Sequence, residues 1–303
     1  MEKEFTVGIA IPTFNPDQIF EENLEILNSG KFKILIIDSN SSKDVESIAK
    51  KNNAIFVKEN HFNHGSTREK ARKILQTDII IFMTQDAKLL SEQSIYNLIR
   101  PILDGKVSVA YGRQIPVENA KILESFPVNF NYPKKSNIRS LGDVKEYGVG
   151  TFFCSDVFSA YLNKDLENVG GFDHILTGED YFMCYKLLLD NKYVAYVSDA
   201  HVIHSHNFSL IENFKRMFDT GYVRGERKYI QKVCGHADQR GVQLTTALFK
   251  KIIKEKPFIL PYAILQTIFK YLGFKIGYYG TKLPRKVKRL FSQQKYYWNS
   301  NLI

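Results

Sequence analysis

Three short clusters, far apart along the chain, carry residue types that could do chemistry together. Thr84, Gln85 and Asp86 end the apolar run Ile79 to Met83. Gly178, Glu179 and Asp180 open a segment that runs to Asp190. His204, Ser205 and His206 follow the run Tyr193 to Val202. A carboxylate and a His can hold a divalent cation, and an acidic pair can supply a base, so the set suits a metal-assisted group transfer. Taken singly each cluster has a plainer reading. Asp86 could be a turn residue, and Glu179 and Asp180 could cap a helix and favour its dipole. A lone His is more often structural, but two alternating on one face near two carboxylate sites shift the balance toward a metal ligand.

The elements that must position these residues are read from apolar periodicity. Phe5 to Ile11, Phe32 to Ile37, Ala54 to Val57, Ile79 to Met83 and Val107 to Tyr111 have the length and β-branching of strands. Helical spacing falls between them, at Pro16 to Asn28, Lys43 to Lys51, Ser66 to Gln76 and Ser91 to Leu103. This alternation predicts an α/β fold, a mainly parallel sheet with helices on both faces. Arg113 to Gly150, with three prolines, reads as one long irregular stretch. A strand over Tyr193 to Val202, a long helix over Leu210 to Gln231 and broken helices from Leu244 onward complete the chain.

Ligands in such sheets bind beyond the carboxyl ends of the strands. Polar residues fall there: Thr13 and Asn15 after the first strand, Asp38 after the second, Asn63 and Gly65 after the third, Gln85 and Asp86 after the fourth, Arg113 and Gln114 after the fifth. Ser41 or Ser42 suits the N-cap of the second helix better than Asp38 does, which frees Asp38 for a base ring or ribose. Arg68 lies one turn from Gly65, where a phosphate could use the guanidinium and the helix N-terminus. The first strand runs into Pro12-Thr13-Phe14-Asn15 with no glycine-rich phosphate loop, against an NAD enzyme or a P-loop NTPase.

Composition narrows the class. The chain has 303 residues, 44% hydrophobic and 24% charged, as in a globular protein. Cys154, Cys184 and Cys234 are too few and too scattered for a disulfide framework or a Cys-rich zinc site. Met1 to Glu4 carries no signal-peptide pattern, and the uncharged stretch Pro257 to Phe269 is shorter than the roughly 20 residues a spanning helix needs. The expected location is therefore the cytoplasm. The net charge of +10 is concentrated: residues 241–303 hold 12 Lys or Arg against one acid, Glu255, which leaves the rest of the chain near neutral. That basic, aromatic tail suggests an acidic partner surface, lipid headgroups or nucleic acid. Helices lying on a membrane, with Lys282, Arg285, Lys286, Lys288 and Arg289 toward anionic lipid, are the favoured form, and a helical cap with a solvated basic face is the plainer one.

With these residues in view, the chain resembles the inverting GT-A glycosyltransferases of family 2, and within them the bacterial rhamnosyltransferases of O-antigen, capsule and cell-wall polysaccharide assembly. The resemblance rests on Ile11-Pro12-Thr13-Phe14-Asn15, Ile37-Asp38-Ser39-Asn40-Ser41, Phe62-Asn63-His64-Gly65-Ser66-Thr67-Arg68, Thr84-Gln85-Asp86-Ala87, Gly170-Gly171-Phe172-Asp173, Gly178-Glu179-Asp180 and His204-Ser205-His206-Asn207. It implies a Rossmann-like GT-A catalytic domain over residues 1–240, with a basic amphipathic helical region over 241–303. Thr84 replaces the first Asp of the family's Asp-x-Asp motif, which leaves Asp86 as carboxylate ligand to Mg2+ or Mn2+, with His204 and then His206 as further ligands. Asp180 matches the family's base, with Glu179 as fallback. The donor nucleotide falls to Thr13, Asn15, Asp38, Asn63, Gly65, Arg68 and Gln85, and the acceptor and sugar side to Arg113, Gln114 and Asp156.

The expected activity is transfer of L-rhamnose from dTDP-β-L-rhamnose, with inversion, to a lipid-linked oligosaccharide at the inner face of the cell membrane. A UDP-dependent transferase of galactofuranose or galactose is the alternative within the family. A non-catalytic glycan- or nucleic-acid-binding protein is the alternative outside it. Nucleic acid is disfavoured, because the body is neutral and its strand-end acids would repel phosphates without a metal.

Overall fold

The computed structural model describes residues 5–234 and 239–299. The first half alternates strand and helix: β1 (Val7–Thr13), α1 (Gln18–Leu27), β2 (Lys33–Asp38), α2 (Val45–Lys51), β3 (Ile55–Lys58), α3 (His64–Leu75) and β4 (Ile79–Met83). Then come β5 (Lys88–Leu89), α4 (Gln93–Leu103), β6 (Val109–Ile115), α5 (Ile122–Asn131), β7 (Asn137–Arg139) and α6 (Val144–Tyr147). β8 (Phe158–Leu162), α7 (Asn163–Asn168), α8 (Glu179–Leu189) and β9 (Val194–Ile203) finish the sheet region. Five helices follow: α9 (Leu210–Glu226), α10 (Tyr229–Cys234), α11 (Gln239–Glu255), α12 (Leu260–Tyr279) and α13 (Arg285–Phe291).

The sheet order is β3-β2-β1-β4-β8-β6-β9-β5, with β7 on the free part of β9. Strands β3, β2, β1, β4, β6 and β9 run one way, and β8 enters antiparallel between β4 and β6. Both faces are covered at the centre of the sheet, so β4 is apolar and buried at all of its positions rather than alternating with polar residues. Along β4, Ile79, Ile81 and Met83 pack under α1 and α4, while Ile80 and Phe82 pack under α3 and α8. Pro12 lies inside β1 rather than ending it. Pairing with β4 stops at Ala10, so the last turn of β1 has one partner, and a residue without an N–H is tolerated there.

Other expectations need correction. The second helix is capped by Asp44, whose carboxylate accepts from Ser47 N, and not by Ser41 or Ser42. Residues 113–150 are not an irregular stretch. β6 continues through Arg113 and Gln114 to Ile115, and α5 contains Pro127, a residue that reads locally as a breaker. The apolar run stops at Tyr111, but the strand goes on through polar residues, and its ladder with β9 slips between Gly112 and Arg113, a bulge that re-aims the strand.

The region after residue 241 is helical, as expected, and it is fastened to the sheet region along α9. α9 and α12 cross at four glycines. A methyl group on Gly221, Gly225, Gly273 or Gly277 would overlap the carbonyl oxygen of Phe274, Tyr278, Phe214 or Phe218 respectively. Backbone-to-backbone contact of this kind is open only to residues without a side chain.

Candidate active site

The β-ladder brings two of the three clusters together. Asn23, buried in α1, donates to Ala87 O and accepts from Leu89 N, fixing the turn after β4. The turn leads into β5, whose Lys88 pairs with Ile203 of β9. Asp86 therefore faces the start of the segment after β9. Its carboxylate lies 3.6 Å from His204 Nε2 and 3.2 Å from His206 Nε2, and one ligand atom from each residue falls within 4.8 Å of the others. Burial would raise the Asp86 carboxyl, but hydrogen bonding to His204 and His206 holds it well below the usual carboxylate range. A carboxylate and two imidazoles converging on one point are a ligand set for a divalent metal.

Behind that set stands Gln114. His204 N donates to Ile115 O, continuing the β6–β9 ladder, and this puts the His204 ring beside the Gln114 side chain. Nδ1 of His204 lies 2.9 Å from Gln114 Oε1, while Gln114 Nε2 donates to Tyr132 Oη and Ser155 Oγ. A carboxamide oxygen only accepts, so Nδ1 carries a proton and Nε2 is the nitrogen turned toward Asp86, the one a metal ion would take. The residues fit a metal site in ligand identity and in the support behind it. Gln114, expected on the acceptor side, supports His204 from the strand behind it. Arg113 donates to Tyr132 O.

The third cluster reaches the same place through Asp156. Thr84 N donates to Val157 O, so Asp156 sits beside the turn that carries Asp86. Asp156 N in turn donates to Asp180 Oδ2, at 3.2 Å. Gly178 takes φ +77 at the start of α8, a left-handed turn that suits glycine and aims the next two acids inward. The two acids differ sharply. Glu179 is buried, 2.7 Å from Arg68 Nη1, and 3.8 Å from His64 Nδ1. Burial would raise it, but the Arg68 guanidinium, assisted by His64, takes it below its ordinary value. Among the described residues no cation forms an ion pair with Asp180, which keeps partial exposure. Burial, then the charges of Glu179 and Asp156, push its carboxyl well up.

Arg68 is the centre of this cluster rather than a free phosphate ligand. Its Nε lies 2.6 Å from Asp156 Oδ2, and Ser159 and Tyr161 donate to the other Asp156 oxygen. The two carboxylates that neutralise Arg68 come from far along the chain, which is why local reading missed them. Gly65 has a packing role: a side chain there would strike the Asp173 carbonyl, so the glycine admits the loop 173–175 against α3. Asn63 caps α3 by accepting from Ser66 N and donates to Ile175 O.

A cavity of about 960 Å³ opens at the carboxyl ends of β1 to β4, lined by Pro12 to Phe14, Ser39, Asn40, Glu59 to Phe62, His64, Arg68, Thr84 and Gln85. Asp38 is behind this wall and is not free. It accepts from Thr13 Oγ1 and from Ser41 N and Oγ, and so shapes the β1 and β2 loops. Asn15, at φ +46, accepts from Ser42 N and Oγ, and Gln85 grips the backbone of Phe14 through its N–H and its carbonyl. Four residues outside the sequence motifs complete the cavity: His174, Tyr296, Tyr297 and Asn299. A second, smaller cavity of about 240 Å³ adjoins His204 and His206, walled by α5, α9 and α12, with Asn213, Arg216, Gln266 and Lys270 among its residues.

A mostly parallel sheet with a cavity over its first strand ends, and an Asp-His-His cluster at its edge, is the plan of a GT-A glycosyltransferase. The chain belongs to glycosyl transferase family 2, whose profile matches residues 8–170. It is 36% identical over 302 residues to the O-antigen chain rhamnosyltransferase RfbN of Salmonella typhimurium, covering 97% of this chain and 96% of that protein. The O-antigen chain rhamnosyltransferase WbaN of Salmonella anatum is 36% identical over 272 residues, 88% of this chain and 86% of its own. Among solved structures, the mannosyltransferase PcManGT from Pyrobaculum calidifontis, in complex with GDP-Man and Mn2+, superposes with a TM-score of 0.58 at 15% identity, over 98% of this chain and 86% of that one. Glucosyl-3-phosphoglycerate synthase from Mycobacterium tuberculosis, in complex with Mn2+, UDP and glucosyl-3-phosphoglycerate, gives 0.53 at 17% identity, over 78% and 82%. The fold and family expected from the sequence are thus met.

Proposed function

We propose that this protein transfers L-rhamnose from dTDP-β-L-rhamnose, with inversion, to a hydroxyl of a lipid-linked glycan in O-antigen-type polysaccharide assembly. The observation that carries the reading is relatedness over nearly the whole chain to a named O-antigen chain rhamnosyltransferase. The donor occupies the large cavity, its base toward Thr13, Ser39 and Asn40 and its diphosphate toward Gln85 and Asp86. Asp86, His204 and His206 hold Mg2+ or Mn2+, which when bound offsets the charge of the departing nucleoside diphosphate. The acceptor enters from the side of the smaller cavity.

Asp180 takes the proton of the acceptor hydroxyl as its oxygen bonds to the anomeric carbon and the bond to the diphosphate breaks on the opposite face. Burial and the charges of Glu179 and Asp156 push its carboxyl up, which increases its affinity for a proton and supports this role. Glu179 is tied to Arg68 and serves to place α8. Thermal stabilisation across a panel of nucleotide sugars with Mn2+ tests the donor. dTDP-rhamnose should protect more than any UDP-sugar, and greater protection by UDP-galactose would sink the rhamnose assignment.

The site works at the inner membrane face. No helix among the described residues is long and apolar enough to cross a membrane. α12 nevertheless exposes Ile264, Ile268, Tyr271, Leu272 and Tyr279 on its outer side, with Phe258 79% exposed just before it. An apolar stripe beside basic residues suits docking on anionic lipid. Two members of the basic cluster have structural duties instead: Arg285 donates to Trp298 O, and Lys288 to Thr281 O and Tyr222 Oη. Changing Ile268, Tyr271 and Leu272 to Ser should abolish sedimentation with anionic liposomes. Equal sedimentation of wild type and variant would remove this part of the reading.

A further inference from the structure

The stretch from Ser292 to Asn299 folds back across the molecule from the end of α13. Asp219 of α9, itself buried, accepts from the backbone N–H groups of Gln293 and Gln294, at 2.9 and 3.3 Å. Gln294 Nε2 lies 3.2 Å from His64 Nε2, at the start of α3. Trp298 is 2% exposed, edge-on to Tyr222 and Tyr297. Between these anchors Tyr296 meets Phe62 edge to face at 5.6 Å, and Tyr297 stacks on His174 at 5.4 Å. The anchored stretch therefore supplies a wall of the cavity assigned to the donor.

Tyr296 is the member of this wall placed to act on a ligand. It keeps 38% of its surface open and lines the cavity with His64 and Arg68. Burial, with Glu179 and Asp219 near it, pushes its phenol above the ordinary value, so the hydroxyl remains a proton donor. The cavity needs such a donor. Arg68, the guanidinium on its floor, is already neutralised by Asp156 and Glu179, and both carboxylates would repel a diphosphate.

We propose that Tyr296 is a donor-binding residue: its ring packs on the nucleotide sugar, and its hydroxyl donates a hydrogen bond to the sugar-diphosphate end. The inference rests on the placement of the donor in this cavity. A tyrosine hydroxyl suits the task because it gives a neutral hydrogen bond to an anionic oxygen without adding charge beside a guanidinium already held between two carboxylates.

The test is calorimetric titration of dTDP and dTDP-rhamnose with Mn2+ into wild type, Tyr296→Phe and Tyr296→Ala, with melting temperatures to confirm folding. A hydrogen bond to a charged group is worth roughly tenfold in affinity, so Tyr296→Phe should raise the Kd for dTDP by about that factor. Tyr296→Ala should lose more, and the acceptor KM should stay unchanged in Tyr296→Phe. Wild-type affinity in both variants overturns the role of Tyr296 while leaving the donor cavity standing. Loss in Tyr296→Ala with none in Tyr296→Phe overturns the hydrogen bond. A wild type that binds no nucleoside diphosphate overturns the donor placement itself, and this proposal with it.

Discussion

The carboxamide oxygen of Gln114 stands 2.9 Å from Nδ1 of His204, and that contact decides which imidazole nitrogen faces Asp86. Gln114 is itself held by Tyr132 and Ser155, so the orientation is inherited from the core. Gln114→Leu should leave all three ligands in place yet weaken Mn2+ affinity by roughly 10- to 100-fold, the usual cost of losing such support. Asp86→Asn should go further and abolish metal-dependent nucleotide binding, since Thr84 offers no second carboxylate. Calorimetry with Mn2+ checks both, and an unchanged Kd in Gln114→Leu would show that the contact is incidental.

How much of this could be read from the chain depended on the distance over which each group finds its partners. Asp86, His204 and His206 were legible because strand ends are legible, and a parallel sheet gathers its strand ends on one side. The partners of Arg68 were not legible, because Asp156 and Glu179 reach it only in three dimensions. β8 is not legible from the strand–helix alternation, because Phe158–Leu162 lies outside it and enters the sheet antiparallel. Tyr296 belongs to no motif, and only the anchoring of its stretch on α9 brings it to the cavity.

The two neighbouring acids should respond oppositely to neutralisation. Asp180→Asn should cut turnover by roughly two to four orders of magnitude, the usual contribution of a general base, with little change in donor Kd. Glu179→Gln should fold poorly before it does anything else. Removing one partner of a buried ion pair costs about 3–5 kcal/mol, and here Arg68 would be left short of a carboxylate. Urea unfolding and steady-state rates on both variants separate the roles. A stable, inactive Glu179→Gln beside an active Asp180→Asn would exchange them.

Asp219 makes stability depend on pH. Burial pushes its carboxyl up to about 6, against hydrogen bonds from Ser292, Gln293 and Gln294 that pull it down. The folded chain thus holds this proton over a range where the unfolded chain, with an ordinary value of 3.8, has released it. Its contribution to stability is fullest below about 4, falls as pH rises toward about 6 and is level above. The fall amounts to about 3 kcal/mol at most. The difference in urea midpoint between wild type and Asp219→Asn, followed from pH 4 to pH 7, should therefore shift in favour of the variant. A difference independent of pH would refute this assignment.

The α9–α12 crossing should tolerate no side chain. Gly277→Ala would press a methyl group onto the Phe218 carbonyl, and overpacking of this kind costs typically about 1–3 kcal/mol. Gly241, where a side chain would meet nothing within 4 Å, is the matched control and should be neutral or slightly stabilising as Ala. Thermal unfolding of the two variants gives the comparison, and equal melting temperatures would mean that the helices part at no cost.

Trp298 is the one tryptophan in the chain, and it sits two residues from Tyr296, packed between Tyr222 and Tyr297 with the Lys288 ammonium 5.6 Å from its ring centre. Selective excitation of indole therefore reports on a single spot, and that spot is the anchor of the cavity wall. The native protein carries its own optical probe for the movement of this wall. Quencher access and emission wavelength in the unlabelled chain read the local environment of the anchor, free of signal from the sheet or from the helices of the first half.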